Sequence, residues 1–219
     1  GGVLEQRGDA IGVVEGVVGQ RRFSIQVDGQ PNHAGTTPMK LRQDALVAAS
    51  RIVLAVETMA RQHPGDPVAT VGRLEVWPNA ANVVPGSVAL TVDLRDVNSV
   101  VLDQLVAELM QQVERIGAET GCPIQLEPQF EVEPTAAADG VMAAIVSAAE
   151  DLGLSHSHLP SRASHDAQEI GRRWPMGMIF VPSRGGLSHS SKEFTSDEHC
   201  WAGAAVLLGT LQRLDREMS

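Results

Sequence analysis

The chain has 219 residues, of which 43% are hydrophobic and 20% charged, a balance typical of a globular protein of one or two domains. Its formal net charge of −10 argues against nucleic acid or an anionic membrane as a partner, and its basic residues are scattered. No apolar run reaches transmembrane length and nothing resembles a signal peptide, so we expect a cytoplasmic protein.

The first half of the chain predicts alternating strands and helices. In chain order, the predicted elements are strand 22–27, helix 41–62, strand 69–76, strand 88–95, helix 99–120 and a strand that starts at Ile124. The order β-α-β-β-α-β is typical of a ferredoxin-like domain, in which a four-stranded sheet carries both helices on one face. We expect the first of these helices to be capped by Thr37, with Pro38 at its first position.

The second half has a different character. A small-residue helix is predicted over 137–153, a strand buried on both faces of a parallel sheet over 176–182, and a last helix that continues through Leu214. These elements predict part of an α/β domain with too few strands to close its own sheet. Because the chain also begins GGVLEQRG without methionine, we expect the remainder of that domain upstream of Gly1.

Four residues in Gly-, Ser- and Asn-rich segments are candidates for a functional site. His33 lies in NHAGTTPM and is either a loop histidine bonded to nearby backbone or a residue with partners elsewhere. Arg95 ends a strand on the face opposite the apolar residues, after a loop that holds Asn82, and either grips a carboxylate or pairs with Asp93 or Asp96. His189, after the predicted buried strand, is either a zinc or manganese ligand or a solvated loop histidine.

Residues 165 and 166 form a further His-Asp pair. Such a pair can orient a ring or bind a metal ion, and a helix N-cap by Asp166 explains it equally well.

Five runs in the same order resemble one family of hydrolases across essentially the whole chain. They are GGVLEQRGDAIGVVEGVVGQRRF, NHAGTTPM, PNAANVVPG followed by DLRD, SHDAQ, and MIFVPSRGGLSHSSKE. Together they resemble the N-carbamoyl-L-amino acid hydrolases, allantoate amidohydrolases and β-ureidopropionases, a branch of the di-metal aminoacylase and carboxypeptidase-like clan. The chain corresponds to the later part of a family member.

The resemblance implies a fold and a division of the chain. Residues 1–20 and 133–219 would belong to an incomplete catalytic α/β metallohydrolase domain. Residues 21–132 would form an inserted ferredoxin-like α+β lid that also makes a homodimer. By the same resemblance, His33 stabilises charge on the attacked carbonyl and serves the partner subunit's site, Asn82 and Arg95 hold the substrate carboxylate, and His189 is a metal ligand.

The implied activity is hydrolysis of a carbon–nitrogen bond other than a peptide bond, in a linear N-carbamoyl or ureido acid such as allantoate. Two divalent metal ions, zinc or manganese, would activate water in the full-length protein, whereas we expect little or no metal and no activity in these 219 residues alone. The alternatives are an aminoacylase or dipeptidase of the same clan, or a non-catalytic dimerisation or ligand-binding module. Arg162 and Ser164 replace two glycines that the family usually has, beside the expected substrate position.

Overall fold

The computed structural model describes residues 2–217, and the chain divides into two compact units. One unit is Gly19–Glu133, and the other joins Gly1–Val18 to Pro134–Ser219. These boundaries lie within two residues of the predicted limits at 20/21 and 132/133. Residues 1, 218 and 219, at the ends of the predicted outer segments, lie outside the described residues.

Helices and strands alternate along the chain. The helices are α1 Val3–Arg7, α2 Ala45–Gln62, α3 Ser99–Thr120, α4 Asp139–Asp151, α5 Asp166–Gly171 and α6 Asp197–Glu217. The strands are β1 Ile11–Val17, β2 Gly19–Asp28, β3 Asn32–His33, β4 Val68–Trp77, β5 Val83–Val84, β6 Ser87–Asp96, β7 Ile124–Val132, β8 Thr135–Ala136, β9 His156–Ser161 and β10 Ile179–Phe180. No helix within residues 2–217 has both the length and the apolar character needed to cross a membrane.

The unit Gly19–Glu133 has the predicted ferredoxin-like order. Its antiparallel sheet runs β4-β6-β2-β7, and α2 and α3 pack against each other and against the two central strands. Every second residue of β6, from Val88 to Leu94, is buried beneath the helices, while Thr91, Asp93 and Arg95 lie on the face without helices. That helix-free surface is called the open face below. The predicted fold class is therefore confirmed.

The start of α2 differs from the prediction. The helix begins at Ala45, and its cap is Asp44, whose carboxylate accepts hydrogen bonds from the backbone of Leu46 (3.0 Å) and Val47 (3.2 Å). Pro38 has an extended backbone, with ψ of 144°, and precedes a single 3-10 turn. The Thr37 hydroxyl instead donates to the carbonyl of His33 at 2.7 Å. Thr37 and Pro38 therefore belong to a loop, and the helix is capped seven residues after Thr37, by Asp44.

The other unit is built around β1, a strand that sequence reasoning did not single out. β9 runs parallel to β1, while β10 and β8 pair antiparallel with its first and second halves. The predicted strand at 176–182 shrinks to two half-buried residues, Ile179 and Phe180, and its expected parallel pairing is wrong. The buried strand of this unit is β1, in which Ile11, Val13 and Val14 have no exposed surface.

A close backbone approach joins β2 to the start of α2. The Gly29 amide donates to the Gly86 carbonyl at 2.8 Å, and a Cβ at residue 29 would lie 2.4 Å from the Gln43 carbonyl oxygen and 2.8 Å from the Ala45 nitrogen. Only a residue without a side chain fits there.

We therefore expect Gly29→Ala to lower the free energy of unfolding by about 1–3 kcal/mol, because backbone must shift to admit the methyl group. Urea unfolding of the chain checks this. Gly72→Ala is the matched control, since a Cβ at Gly72, in the same sheet, meets nothing within 4 Å. Equal effects of the two substitutions would contradict the prediction.

Candidate functional site

His33 and Asn82 lie together on a two-stranded ribbon that extends from one end of the sheet. β3 pairs antiparallel with β5, so that His33 is opposite Val83, and the Ala34 amide donates to the Asn82 carbonyl at 2.8 Å. A tight turn carries the chain into β5, with the Val83 amide donating to the Ala80 carbonyl. Both candidate residues are exposed. Two distant segments thus place two exposed polar residues on one ribbon.

The loop after His33 holds its imidazole ring in one orientation. Nδ1 accepts hydrogen bonds from the backbone amides of Gly35 (3.1 Å) and Thr36 (3.3 Å). A Cβ at Gly35 would lie 3.2 Å from the ring Cε1, so glycine permits this approach. Arg42 closes the loop from the other side by donating to the carbonyls of Thr37 and Ala34. The sequence alone gave no reason to select Arg42.

This arrangement determines what the ring can do. A nitrogen that accepts two amide protons carries none itself, so the proton of the neutral imidazole is on Nε2. Nε2 is the ring nitrogen farther from the loop backbone. The exposed edge of His33 is therefore a hydrogen-bond donor, suited to an oxygen that gains negative charge.

Arg95 lies in a second polar cluster, on the open face. Its Nε donates to Asp93 Oδ1 at 2.7 Å, and the other carboxylate oxygen of Asp93 accepts from Arg22 Nε (3.1 Å) and Nη2 (2.9 Å) and from Gln20 Nε2. The ion pair with Asp93, one of the two alternatives for Arg95, is thus present. It does not exclude binding of a carboxylate, because two guanidinium groups surround one carboxylate.

Within a single chain, the structure does not bring Asn82 and Arg95 together. β6 runs from Ser87 to Asp96, and Arg95 is eight residues beyond Ser87, or roughly 27 Å along an extended strand. Ser87 pairs with Asp28, and the bond from Gly29 to Gly86 continues that ladder toward the ribbon. Within one chain, His33 and Asn82 therefore lie at one end of the sheet and Arg95 at the other.

The Asp93 carboxylate is held in its charged form. Burial raises its pKa, but hydrogen bonds from Arg95 and Arg22, the charge of Arg95 and the Gln20 amide outweigh burial, so the pKa is lowered from 3.8. A carboxyl whose pKa is lower in the folded state stabilises the fold above its unfolded pKa. That contribution is lost as the pH falls below about 4 through the folded value.

We expect Asp93→Asn to lower the free energy of unfolding by about 1–3 kcal/mol at pH 7, because two arginines lose a charged partner. The difference between variant and wild type should shrink as the pH falls below about 4, because wild-type Asp93 then takes up a proton. Urea unfolding across this pH range checks both points. A difference that is constant with pH would contradict the assignment.

His189 lies in an exposed loop between β10 and α6. Its backbone is in the left-handed region, with φ of 55°, and its amide donates to Glu193 Oε2 at 3.0 Å. Residues 2–217 include no group of three or more His, Cys, Asp or Glu side chains placed to hold a metal ion. These residues therefore do not fit a complete metal site, and His189 can supply one ligand at most.

The segment Ser161–Asp166 differs from the prediction in one detail. Asp166 is the first residue of α5, and His165 occupies the cap position without a side-chain cap bond, so an N-cap by Asp166 is wrong. The His165 ring lies 5.8 Å from the Phe180 ring. Arg162 is half-buried and Ser164 exposed.

The chain is similar to known hydrolases along nearly its whole length. Residues 2–213 match the model of peptidase family M20/M25/M40. The chain is 38% identical to an allantoate amidohydrolase of Bacillus subtilis, over 98% of this chain and 52% of that protein. It is also 38% identical to an N-carbamoyl-L-amino-acid amidohydrolase of Paenarthrobacter aurescens, over 99% of this chain and 52% of that protein.

A solved structure extends the likeness to the fold. An amidase of the hydantoinase/carbamoylase family from Burkholderia multivorans superposes with a TM-score of 0.94 at 42% identity, over 97% of this chain and 52% of that one. The chain spans about half the length of the relatives it matches. Sequence, family model and fold agree with the predicted resemblance, and the chain belongs to peptidase family M20/M25/M40.

Proposed function

We propose that the complete protein that carries this chain hydrolyses the carbamoyl or ureido C–N bond of a linear N-carbamoyl amino acid or ureido acid. The observation that carries the proposal is the His33 ribbon, where a backbone-held imidazole presents its Nε2 proton on the same ribbon as Asn82. Cleavage of a carbamoyl group passes through a tetrahedral intermediate whose oxygen becomes negative. A fixed neutral donor stabilises that oxygen without the cost of reorienting during the reaction.

Arg95 would bind the carboxylate that distinguishes these substrates from simple ureas. A guanidinium matches the planar, two-oxygen geometry of a carboxylate, and Asp93 already holds the Nε side of Arg95. The excess positive charge of the cluster at the end of β6 favours an anion there.

We propose that the protein forms a dimer through the unit Gly19–Glu133. In each protomer, His33 and Asn82 would serve one active site of the dimer, and Arg95 would serve the other. Support comes from their location at opposite ends of one sheet, since Arg95 lies roughly 27 Å of strand beyond Ser87, at whose end the ribbon begins, and this length exceeds that of one small substrate. In a two-fold dimer, each site would receive Arg95 from one protomer and His33 with Asn82 from its partner.

Edge strand β4 is the better candidate for the dimer contact. Both β4 and β7 are edges of the sheet, but β7 carries Glu127, Pro128 and Glu131, residues that oppose strand pairing. β4 exposes Leu74, and the neighbouring helix α2 exposes Leu54. This unit would thus act as lid and dimerisation domain, and the other as part of the catalytic domain.

The complete protein is also proposed to use two zinc or manganese ions, with His189 as one ligand. The metal would supply activated water. The roles assigned above to His33, Asn82 and Arg95 concern substrate binding and charge stabilisation only.

The test is turnover by the complete, metal-supplemented protein of allantoate, N-carbamoyl-L-alanine, N-acetyl-L-alanine and L-alanyl-L-alanine. We expect ammonia release from one or both of the first two compounds, at a kcat/KM at least tenfold above that for the others. Preference for the acetyl compound or the dipeptide would show an aminoacylase or dipeptidase instead. No turnover of any compound would favour a non-catalytic module.

A further inference from the structure

Arg95 and three other polar side chains, Gln20, Arg22 and Asp93, form a compact cluster on the open face. Gln20 is directly opposite Arg95 in the pairing of β2 with β6, and Arg22 is opposite Asp93, so all four side chains lie on the same surface. Asp93 is the centre of the cluster and its side chain is 19% exposed, against 29% for Arg95 and 45% for Arg22. The central carboxylate is the best shielded of the three charged groups.

Both oxygens of Asp93 accept hydrogen bonds. Oδ1 accepts from Arg95 Nε at 2.7 Å, while Oδ2 accepts from Arg22, from Gln20 and, at 3.5 Å, from Arg95 Nη2. Bonds at both oxygens restrain rotation of the carboxylate, and the carboxylate in turn restrains the plane of the Arg95 guanidinium. The Arg22 guanidinium lies 5.7 Å from the centre of the Phe130 ring, which provides a second support on β7.

The formal charges of the cluster do not cancel. Arg22 and Arg95 contribute two positive charges and Asp93 one negative charge, so one positive charge remains. Without Arg22, Asp93 and Arg95 would form a neutral pair with less attraction for an anion. Arg22 therefore allows Asp93 to orient Arg95 without neutralising the site.

We propose that Asp93 and Arg22 are positioning residues, which orient the Arg95 guanidinium toward the substrate carboxylate and keep the cluster positive. This inference rests on the proposed role of Arg95 in binding that carboxylate. Asp93 acts through orientation and Arg22 through charge, so their substitutions have distinguishable consequences.

The direction in which Asp93→Asn changes KM distinguishes a role of Asp93 in orientation from a role in charge. Removal of the negative charge raises the formal charge of the cluster from +1 to +2, and charge alone would then lower KM for a carboxylate substrate. Loss of orientation would raise KM despite the added positive charge. We expect KM to rise roughly three- to tenfold, with kcat within about twofold of wild type.

Arg22→Gln and Arg22→Lys form the second pair of variants. The glutamine variant should raise KM roughly three- to tenfold, and the lysine variant, which retains the charge, should remain within about twofold of wild type. Arg73→Gln is the matched control. Arg73 pairs with Glu75 on the same face of β4, and its substitution removes one positive charge outside the cluster. Arg73→Gln should leave KM within about twofold of wild type.

The measurement is steady-state kinetics of the complete protein with N-carbamoyl-L-alanine and with N-carbamoyl-L-alaninamide, which lacks the carboxylate. The expected KM increases occur with the acid and are absent with the amide, while circular dichroism shows folded variants. If Asp93→Asn and Arg22→Gln leave KM for the acid unchanged, or change acid and amide equally, the inference is wrong. If Arg95→Lys also leaves the preference for acid over amide unchanged, the proposed role of Arg95 fails as well.

Discussion

Replacement of Arg95 by lysine in the complete protein should lower kcat/KM for carboxylate substrates by about 2–4 kcal/mol, or roughly 30- to 800-fold. Lysine keeps the positive charge but loses the planar fork that matches a carboxylate. It also cannot reproduce the contact that Arg95 Nε makes with Asp93 at 2.7 Å. The loss should therefore exceed what the retained charge suggests.

Steady-state kinetics with N-carbamoyl-L-alanine measures this effect, and the carboxamide analogue provides the control for general damage to the site. Arg95 is not part of the apolar core, so the variant should remain folded by circular dichroism. A kcat/KM within about twofold of wild type for the acid would mean that Arg95 is only the partner of Asp93 in a surface ion pair.

Replacement of His33 by alanine should lower kcat by roughly 100- to 1000-fold and change KM little, because the oxygen that Nε2 stabilises is charged mainly in the transition state. His33 is exposed, so its replacement removes the Nε2 donor without opening the core. Initial rates at saturating substrate measure kcat.

His63 offers a matched control for that substitution. Its Nδ1 accepts from the Gly65 amide at 3.1 Å, the same local geometry as in His33, but it follows the end of α2. His63→Ala should leave kcat within about twofold of wild type. Equal losses in the two variants would contradict a specific role for His33.

The ferredoxin-like unit could be predicted because its apolar patterns are regular. Alternation in 88–95 and helical spacing in 99–120 determined which faces are buried, and the structure confirms both. The start of α2 was predicted at the wrong place, because Thr37 and Pro38 look like a helix cap when read locally. The structure shows that Thr37 binds the His33 carbonyl and that Asp44 caps the helix.

The other unit was harder to predict because its elements are short and its central strand contains glycine. In β1, Gly12 and Gly16 interrupt the apolar residues, and a Cβ at Gly12 would lie 2.7 Å from the Leu159 side chain. These glycines permit close packing with neighbouring strands, yet in sequence they weaken the strand signal. The short β10 could not be distinguished by periodicity from a longer buried strand.

The candidate residues could be identified from the sequence, but their grouping could not. Nothing in the order of residues indicates that His33 and Asn82 share a ribbon while Arg95 lies at the far end of β6. Strand register decides this, and it also places Gln20 and Arg22 beside Asp93. Gln20 and Arg22 could not be assigned to the Arg95 cluster from the sequence, because about seventy positions separate them from Arg95.

Complementation between two inactive variants tests most directly the claim that His33 and Arg95 of one protomer serve the two different active sites of the dimer. A heterodimer of one His33→Ala protomer and one Arg95→Lys protomer, purified through two different tags, would have one intact site and one site that lacks both residues. We expect about half of the wild-type kcat per dimer. Activity no higher than that of the two variant homodimers would show that His33 and Arg95 of the same protomer act in one site, and would contradict this arrangement.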